Sequence, residues 1–202
     1  MHEPSAREIR EKYDRIARWY DALIPLEWLG LGALRRELLA EARGDVLEIA
    51  AGTGRNFKYY RPNARVTAID LSPAMLAIAR WRTPPNVRLA VMDAEALAFP
   101  AATFDTVVST LGLCTYPDPE SALKEMARVC RPGGRILLIE HGRSDRARIA
   151  RFQDRHAAFH VSATCCHWNR EPLEIVRQAG LKVLGNRRGL FGIVHVIEAA
   201  PG

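Results

Sequence analysis

The chain has 202 residues, 48% hydrophobic and 26% charged, enough apolar material for one full core and ordinary for a soluble globular protein. No apolar run reaches the roughly 18 residues that span a bilayer, and Met1-His-Glu-Pro-Ser-Ala-Arg7 has no apolar signal core. The net charge of +6 is concentrated between Arg143 and Arg188, where ten Lys/Arg face four Asp/Glu. That stretch reads as solvated helix faces or as a surface for an anionic membrane. Nucleic acid is disfavoured, because no aromatic-rich binding motif accompanies the charge.

In chain order, Glu8 to Ile24 reads as an amphipathic helix, with Ile9, Tyr13, Ile16, Ala17, Tyr20, Leu23 and Ile24 at three and four spacing. Pro25 ends it, Leu26 to Gly32 is an apolar connector, and a second helix runs from about Ala33 to Ala42, closed by Gly44. Three readings of this section stand open. It is a core-packing helix pair, a lid, or a membrane-interface segment anchored by Trp19 and Trp28.

From Asp45 short apolar runs alternate with helical segments, the signature of a parallel, doubly wound sheet. Asp45 to Ala50 is a strand, Ala51-Gly-Thr-Gly54 a tight loop, and Arg55 onward the start of a helix. Arg65 to Asp70 and Val87 to Asp93 are the next strands. Between them Ser72-Pro73 opens a helix through about Trp81, and Thr83-Pro-Pro-Asn86 breaks it. Phe104 to Thr110 is the fourth strand, Pro119 to Cys130 a helix, Arg131-Pro-Gly-Gly134 a turn and Arg135 to Glu140 the fifth strand. Leu181 to Leu184 and Ile193 to Glu198 are the last two.

Gly52 and Gly54 let the backbone turn sharply and approach a ligand that a Cβ would block. The dinucleotide fingerprint wants a third glycine three residues on, where Phe57 stands, so a nicotinamide or flavin dinucleotide is disfavoured. Instead Glu48, Asp70 and Asp93 sit at or near the ends of three successive strands. An acid ending the second strand can accept from both hydroxyls of a ribose. Such a set suits a ligand with an ammonium group, a ribose diol and an adenine amine, and S-adenosylmethionine has all three.

Glu48-x-Ala50-x-Gly52-x-Gly54, Ile69-Asp70-x-Ser72, Asp93-Ala94-Glu95, Phe104-Asp105-x-Val107-Val108 and Arg131-Pro-Gly-Gly134 resemble the class I S-adenosylmethionine-dependent methyltransferases. The branch resembled is the ubiquinone/menaquinone-methylase type. The resemblance implies a seven-stranded, mostly parallel sheet of α/β class with the last strand antiparallel and an N-terminal helical lid. Residues 1–202 would form one methyltransferase domain, with a lid at 1–44, a donor-binding core at 45–141 and acceptor-side helices with two strands at 142–202. S-adenosylmethionine would be held by Glu48, Ala50, Gly52, Gly54, Asn56, Asp70, Leu71, Met75, Asp93, Ala94, Ser109 and Leu111. Tyr13, Tyr20 and Asp21 match a Tyr-x-x-x-Ala-x-x-Tyr-Asp context whose tyrosines border the donor. The family usually has glycine at Ala50, and a methyl is tolerated there if the strand end is not left-handed.

Methyl transfer is an in-line displacement, so the protein chiefly aligns the reactants and excludes water. On the acceptor side the strand ends offer Ser109, Thr110, Leu111, Cys114, Glu140, His141 and Arg143. His141 is the candidate base, since imidazole titrates near neutrality, although a histidine merely hydrogen-bonded at a strand end would look the same. Cys165-Cys166-His167 are adjacent and cannot easily share one ion, and no Cys/His pair elsewhere shows metal spacing, so no metal is expected.

Gly52 to Tyr60, Ser109 to Cys114, Glu140-His141 and Cys166 to Glu171 also resemble the thiol methyltransferase-like branch, whose animal members carry an N-terminal membrane anchor not seen here. Bacterial phospholipid N-methyltransferases resemble the chain in core, length and amphipathic first helix. The expected activity is methyl transfer to a small lipophilic acceptor, a thiol or a lipid amine. A quinone-type carbon acceptor is the alternative. A regulatory protein that binds S-adenosylmethionine without catalysis is the alternative of another class. The expected setting is cytoplasmic and reducing, with peripheral contact to a membrane compatible with the charge.

Overall fold

A computed structural model describes residues 3–23 and 30–202. Ile24, Pro25, Trp28 and most of the expected connector lie outside the described residues. Seven strands form one sheet: β1 Asp45–Ile49, β2 Arg65–Asp70, β3 Val87–Val91, β4 Phe104–Thr110, β5 Cys130–His141, β6 Lys182–Gly189 and β7 Val194–Ala200. Their order is β3-β2-β1-β4-β5-β7-β6, parallel through β5, with β7 antiparallel to both its neighbours. The chain winds outward from β1 in one direction and from β4 in the other, which opens a crevice at the carboxyl ends of those two strands. The central strands are buried on both faces and therefore read as continuous apolar runs.

Helices α1 Ala6–Ile16, α2 Tyr20–Leu23 and α3 Leu31–Leu39 precede the sheet; α4 Pro73–Ala79, α5 Pro119–Val129, α6 Ala147–Thr164 and α7 Pro172–Gln178 cover it. The expected single helix from Glu8 is two pieces, with Ala17 to Trp19 forming a turn between α1 and α2. Ser5 caps α1 in a reciprocal capping box with Glu8. Asp14 accepts from Ser72 Oγ at 2.5 Å and from Ala74 N at 3.2 Å, which pins α1 across the start of α4. Among the described residues no helix is long and apolar enough to cross a membrane.

Two further expectations are corrected. No α-helix begins at Arg55; the segment turns and forms one short 3₁₀ turn, Phe57–Tyr59. Pro62 sits close behind and disfavours helical backbone at Arg61, leaving no room for a second turn. Arg131 to Gly134 is not a separate turn before the strand but lies inside β5, whose pairing with β4 shifts register between Phe104 and Thr106.

Candidate functional site

The strand-end crevice contains a cleft and, beside it, a larger cavity. The cleft is bordered by Ala50 and Gly52 after β1, Asp70 and Leu71 after β2, Met75 on α4, and Asp93 and Ala94 after β3. Tyr13 on α1 and Tyr20 on α2 close it from above, and Thr110 and Leu111 form its far side. Each of these except Thr110 is a residue expected at the donor. A Cβ built on Gly52 meets nothing within 4 Å, so the backbone there faces open space in which a ligand can approach closely.

Asp70 is the fixed acid of the cleft. Its Oδ2 accepts from Gly52 N and its Oδ1 from Ser72 N, both at 2.8 Å, so one side chain sets the glycine loop and the entry to α4. Burial pushes its carboxyl up to about 6 despite those two bonds. Each oxygen retains a lone pair, which suits a vicinal diol.

Four expected donor residues stand behind the cleft rather than in it. Glu48 is buried, and its Oε1 accepts from Asn56 Nδ2 at 2.9 Å. Burial pushes Glu48 up to about 7, against the hydrogen bond from Asn56 and the charge of Arg35. Asn56 Nδ2 also reaches Thr110 Oγ1 at 3.1 Å, and Arg35 NH1 donates to Asn56 Oδ1 and, at 3.0 Å, to Thr110 Oγ1. The group braces the loop from beneath. Gly54 serves packing, because a Cβ there would lie 2.5 Å from the Phe57 ring. Ser109 is buried and donates to Glu140 Oε1 at 3.0 Å.

Ala50 has φ +53°, the left-handed region. The condition under which its methyl is harmless is therefore not met, and the turn carries a strain of about 1–2 kcal/mol. Glycine would relieve it but adds unfolded-state entropy of about 0.4–1 kcal/mol. Ala50→Gly is expected to raise the melting temperature by a few degrees, roughly 2–4 °C per kcal/mol for a chain of this size. A lower melting temperature by calorimetry would refute the strain.

The cavity, about 500 Å³, lies on the β4–β5 side and is lined by Cys114, His141, Ile149, Phe152, Gln153, His160, Thr164, Cys166, Trp168 and Ile193. Tyr13, Tyr20 and Leu111 border both spaces, and the two tyrosine rings meet edge to face with centroids 5.8 Å apart. His160 stacks on Trp168 at 4.2 Å. His141 Nε2 lies 3.3 Å from Cys166 Sγ. Burial disfavours the imidazolium of His141, but Cys114 and Glu140 beside it outweigh that and raise its pKa.

Of the other acceptor-side residues, Glu140 does not reach the cavity. It accepts from Gly112 N at 3.2 Å, Leu113 N at 3.1 Å and Ser109 Oγ, and so holds the loop that follows β4. Arg143 pairs with Asp154 at 2.9 Å on the surface. His167 Nε2 turns away to Glu3 at 3.0 Å, whereas Cys166 meets two residues distant in sequence, Cys114 and His141.

Two roles in the site were not assigned from the sequence. Asp21 accepts from Thr53 Oγ1 at 2.6 Å, Arg55 Nε at 2.9 Å and Arg82 NH2 at 2.6 Å, clipping α2 to the glycine loop. Burial works against the charge of Asp21, yet those three donors hold its carboxyl below the usual range. Arg35 is the second, and a signal existed: it interrupts the apolar stripe Leu31, Leu38, Leu39, Ala42 at helical spacing.

A family model described as methyltransferase domain matches residues 47–138. Phosphatidylethanolamine N-methyltransferase of Cereibacter sphaeroides is 40% identical over 57% of this chain and 60% of its own length. The mitochondrial methyltransferase OMS1 of Saccharomyces cerevisiae is 32% identical over 96% of this chain and 46% of its own. The ubiquinone/menaquinone biosynthesis C-methyltransferase UbiE of Cellvibrio japonicus is 30% identical over 77% of this chain and 68% of its own. The chain thus spans about half to two thirds of the length of these curated relatives. A chain from the complex of the Haloferax volcanii Trm112 methyltransferase activator with a methyltransferase superposes with TM-score 0.75 at 21% identity, over 95% of this chain and 98% of that one. This last likeness shows the fold alone.

Proposed function

The chain belongs to the class I S-adenosylmethionine-dependent methyltransferases of the ubiquinone/menaquinone-methylase branch, and from that premise we propose that its acceptor is a small lipophilic thiol. S-adenosylmethionine is the methyl donor of this family, and the cleft suits it: open backbone at Gly52, an acid with free lone pairs at Asp70, and apolar Leu71 and Met75. We assign Asp70 to the ribose hydroxyls, Asp93 with Ala94 to the adenine edge, and Ala50, Gly52, Leu71, Met75 and Leu111 to contacts around the donor. Tyr13 and Tyr20 act as a lid between donor and acceptor. Glu48, Gly54, Asn56 and Ser109 support the site from behind.

The observation that carries the acceptor reading is the cavity across the tyrosine wall. It is largely apolar, and among the described residues no Asp or Glu lines it. An amine arrives as an ammonium and would find no carboxylate there, whereas a thiol ionises closer to neutrality and needs less help. A ring carbon needs the most help. His141, at the cavity floor, is the point at which the acceptor is activated.

A second reading, a lipid amine, is favoured by exposed aromatic and basic residues. Trp19, Phe152 and Phe159 are exposed, and Arg148, Arg151 and Arg155 lie on the same helix as the two phenylalanines. Such a face suits an anionic membrane surface. We read residues 1–202 as one domain, cytoplasmic or peripheral to a membrane.

The test is transfer of labelled methyl into two pools, lipophilic alkyl thiols and aminophospholipid vesicles carrying a quinol. Label is expected in the thiols. His141→Ala is expected to lower turnover by roughly 10²–10⁴-fold with donor affinity unchanged by calorimetry. Label in vesicle lipid alone would replace the thiol reading with the second one, and label in the quinol alone would overturn both.

A further inference from the structure

Cys114, His141 and Cys166 come from three separate places: the loop after β4, the last residue of β5, and the turn after α6. Their ligating atoms nevertheless all lie within 4.8 Å of one another, with Cys166 Sγ and His141 Nε2 3.3 Å apart. We propose that these three side chains form a zinc site at the floor of the acceptor cavity, with its fourth position open to the acceptor.

The geometry fits the ion. With Zn–S near 2.3 Å and Zn–N near 2.0–2.1 Å, tetrahedral edges are about 3.5 Å for S···N and about 3.8 Å for S···S. The observed triangle reaches those edges by small side-chain shifts. The backbone that carries it is already tied together by other bonds. His167 N donates to Cys114 O at 2.8 Å, which joins the two cysteine-bearing loops. Arg170 NH1 donates to Leu113 O and Tyr116 O, at 2.5 and 2.8 Å, which fixes the first of them.

The donor set also selects the metal class. Two thiolates and an imidazole favour zinc over calcium or magnesium, which want carboxylates, and no carboxylate among the described residues lines the cavity. Two thiolates neutralise the dication, so the filled site carries no net charge into an apolar wall. Three protein ligands with a fourth position facing a cavity is the arrangement of a catalytic rather than a structural zinc.

What the open position would hold rests on the thiol reading above. A thiol RSH binds there as RS⁻ and releases its proton to solvent. Its sulfur then forms a bond to the methyl carbon while the bond from that carbon to the donor's sulfonium sulfur breaks. RSCH₃ and S-adenosylhomocysteine leave, and the thioether is the poorer ligand. His141 then acts as a ligand rather than as a base.

The experiment uses the full chain, reduced, incubated with zinc sulfate and desalted. The wild type is expected to retain about one zinc per chain by mass spectrometry. Cobalt in its place should give the near-ultraviolet thiolate-to-cobalt charge-transfer band. Cys114→Ser and Cys166→Ser should each bind zinc at least about tenfold more weakly against a chromogenic chelator. Cys165→Ser, next in sequence but outside the triangle, should bind as the wild type does. Wild-type protein that stays metal-free with its thiols reduced overturns the site, as does equal metal loss in Cys165→Ser. The cobalt band is read on the wild type alone, so a variant that misfolds does not decide the matter. Metal retention is independent of methyl transfer: a chain that holds zinc but labels only lipid keeps the site and loses the thiol reading.

Discussion

Asp70→Asn is expected to weaken S-adenosylmethionine binding by on the order of a hundredfold or more. The carboxylate does two things at once. Its oxygens anchor Gly52 N and Ser72 N, and their remaining lone pairs are assigned to the two ribose hydroxyls. A hydrogen bond to a charged group contributes about 1.5–3 kcal/mol, so losing the diol contacts alone accounts for the expected drop. The amide keeps the shape but offers one acceptor where there were two, and turns an NH₂ toward a backbone N–H. The pH dependence supplies a signature that a merely structural role lacks. Burial places the Asp70 carboxyl at about 6, and the ionised form is the better acceptor. Wild-type donor affinity should therefore fall as pH drops below about 6, and Asp70→Asn should be flat there. Calorimetric affinity for the donor in Asp70→Asn equal to the wild type would remove the assignment.

Glu140→Ala should cause the largest loss of stability. Glu140 is fully buried and takes two backbone N–H groups and the Ser109 hydroxyl. Removing it strands Gly112 N–H and Leu113 N–H in the interior, at about 1–3 kcal/mol each. Leu111 beside them has φ +60°, so the loop is held in a conformation it would not choose unaided. A loss of about 3–5 kcal/mol is a large share of a typical 5–15 kcal/mol total, and the melting temperature should fall by on the order of 10 °C. Glu140→Gln separates charge from contact. Burial holds Glu140 at about 7 in the folded chain, above its ordinary 4.5. The folded state therefore binds the proton more tightly, and the stability that Glu140 contributes declines as pH rises from about 4.5 through about 7. Glu140→Gln should lessen that decline in thermal melts across the range. An unchanged melting temperature in Glu140→Ala would show that the loop does not depend on this carboxylate.

The strands were legible because short runs rich in Val, Ile and Leu are bounded by glycine, proline or an acid, as in Asp45 to Ile49 and Ile136 to Glu140. The acids closing β2 and β3 were legible for the same reason: a charge ending a buried run falls at the sheet edge. Less could be read where tertiary contacts override local preference. Nothing local places Ala50 in the left-handed region; the turn from β1 imposes it, with Ala51 N bonded to Ile69 O on β2. The helix expected from Arg55 failed because Asn56 is drawn inward to Glu48 and Thr110 while Pro62 waits beyond. Glu48 and Ser109 stand behind the cleft because alternate residues of a strand face opposite sides, and both are buried on protein partners there. Cys114, His141 and Cys166 are 27 and 25 residues apart by their numbers, and only the order of β4 and β5 with the return of α6 brings them together.

Tyr13, Tyr20 and Leu111 belong to two chambers at once. A partition of that kind cannot shift for one occupant without reshaping the room of the other. If a bound donor presses the tyrosines into place, the acceptor finds its chamber already formed, and by reciprocity a bound acceptor tightens the hold on the donor by the same factor. The enzyme would then fill in a preferred order and be slow to consume its donor while the second chamber stands empty. Wasteful hydrolysis of a sulfonium would be restrained by the same two rings that keep the substrates apart.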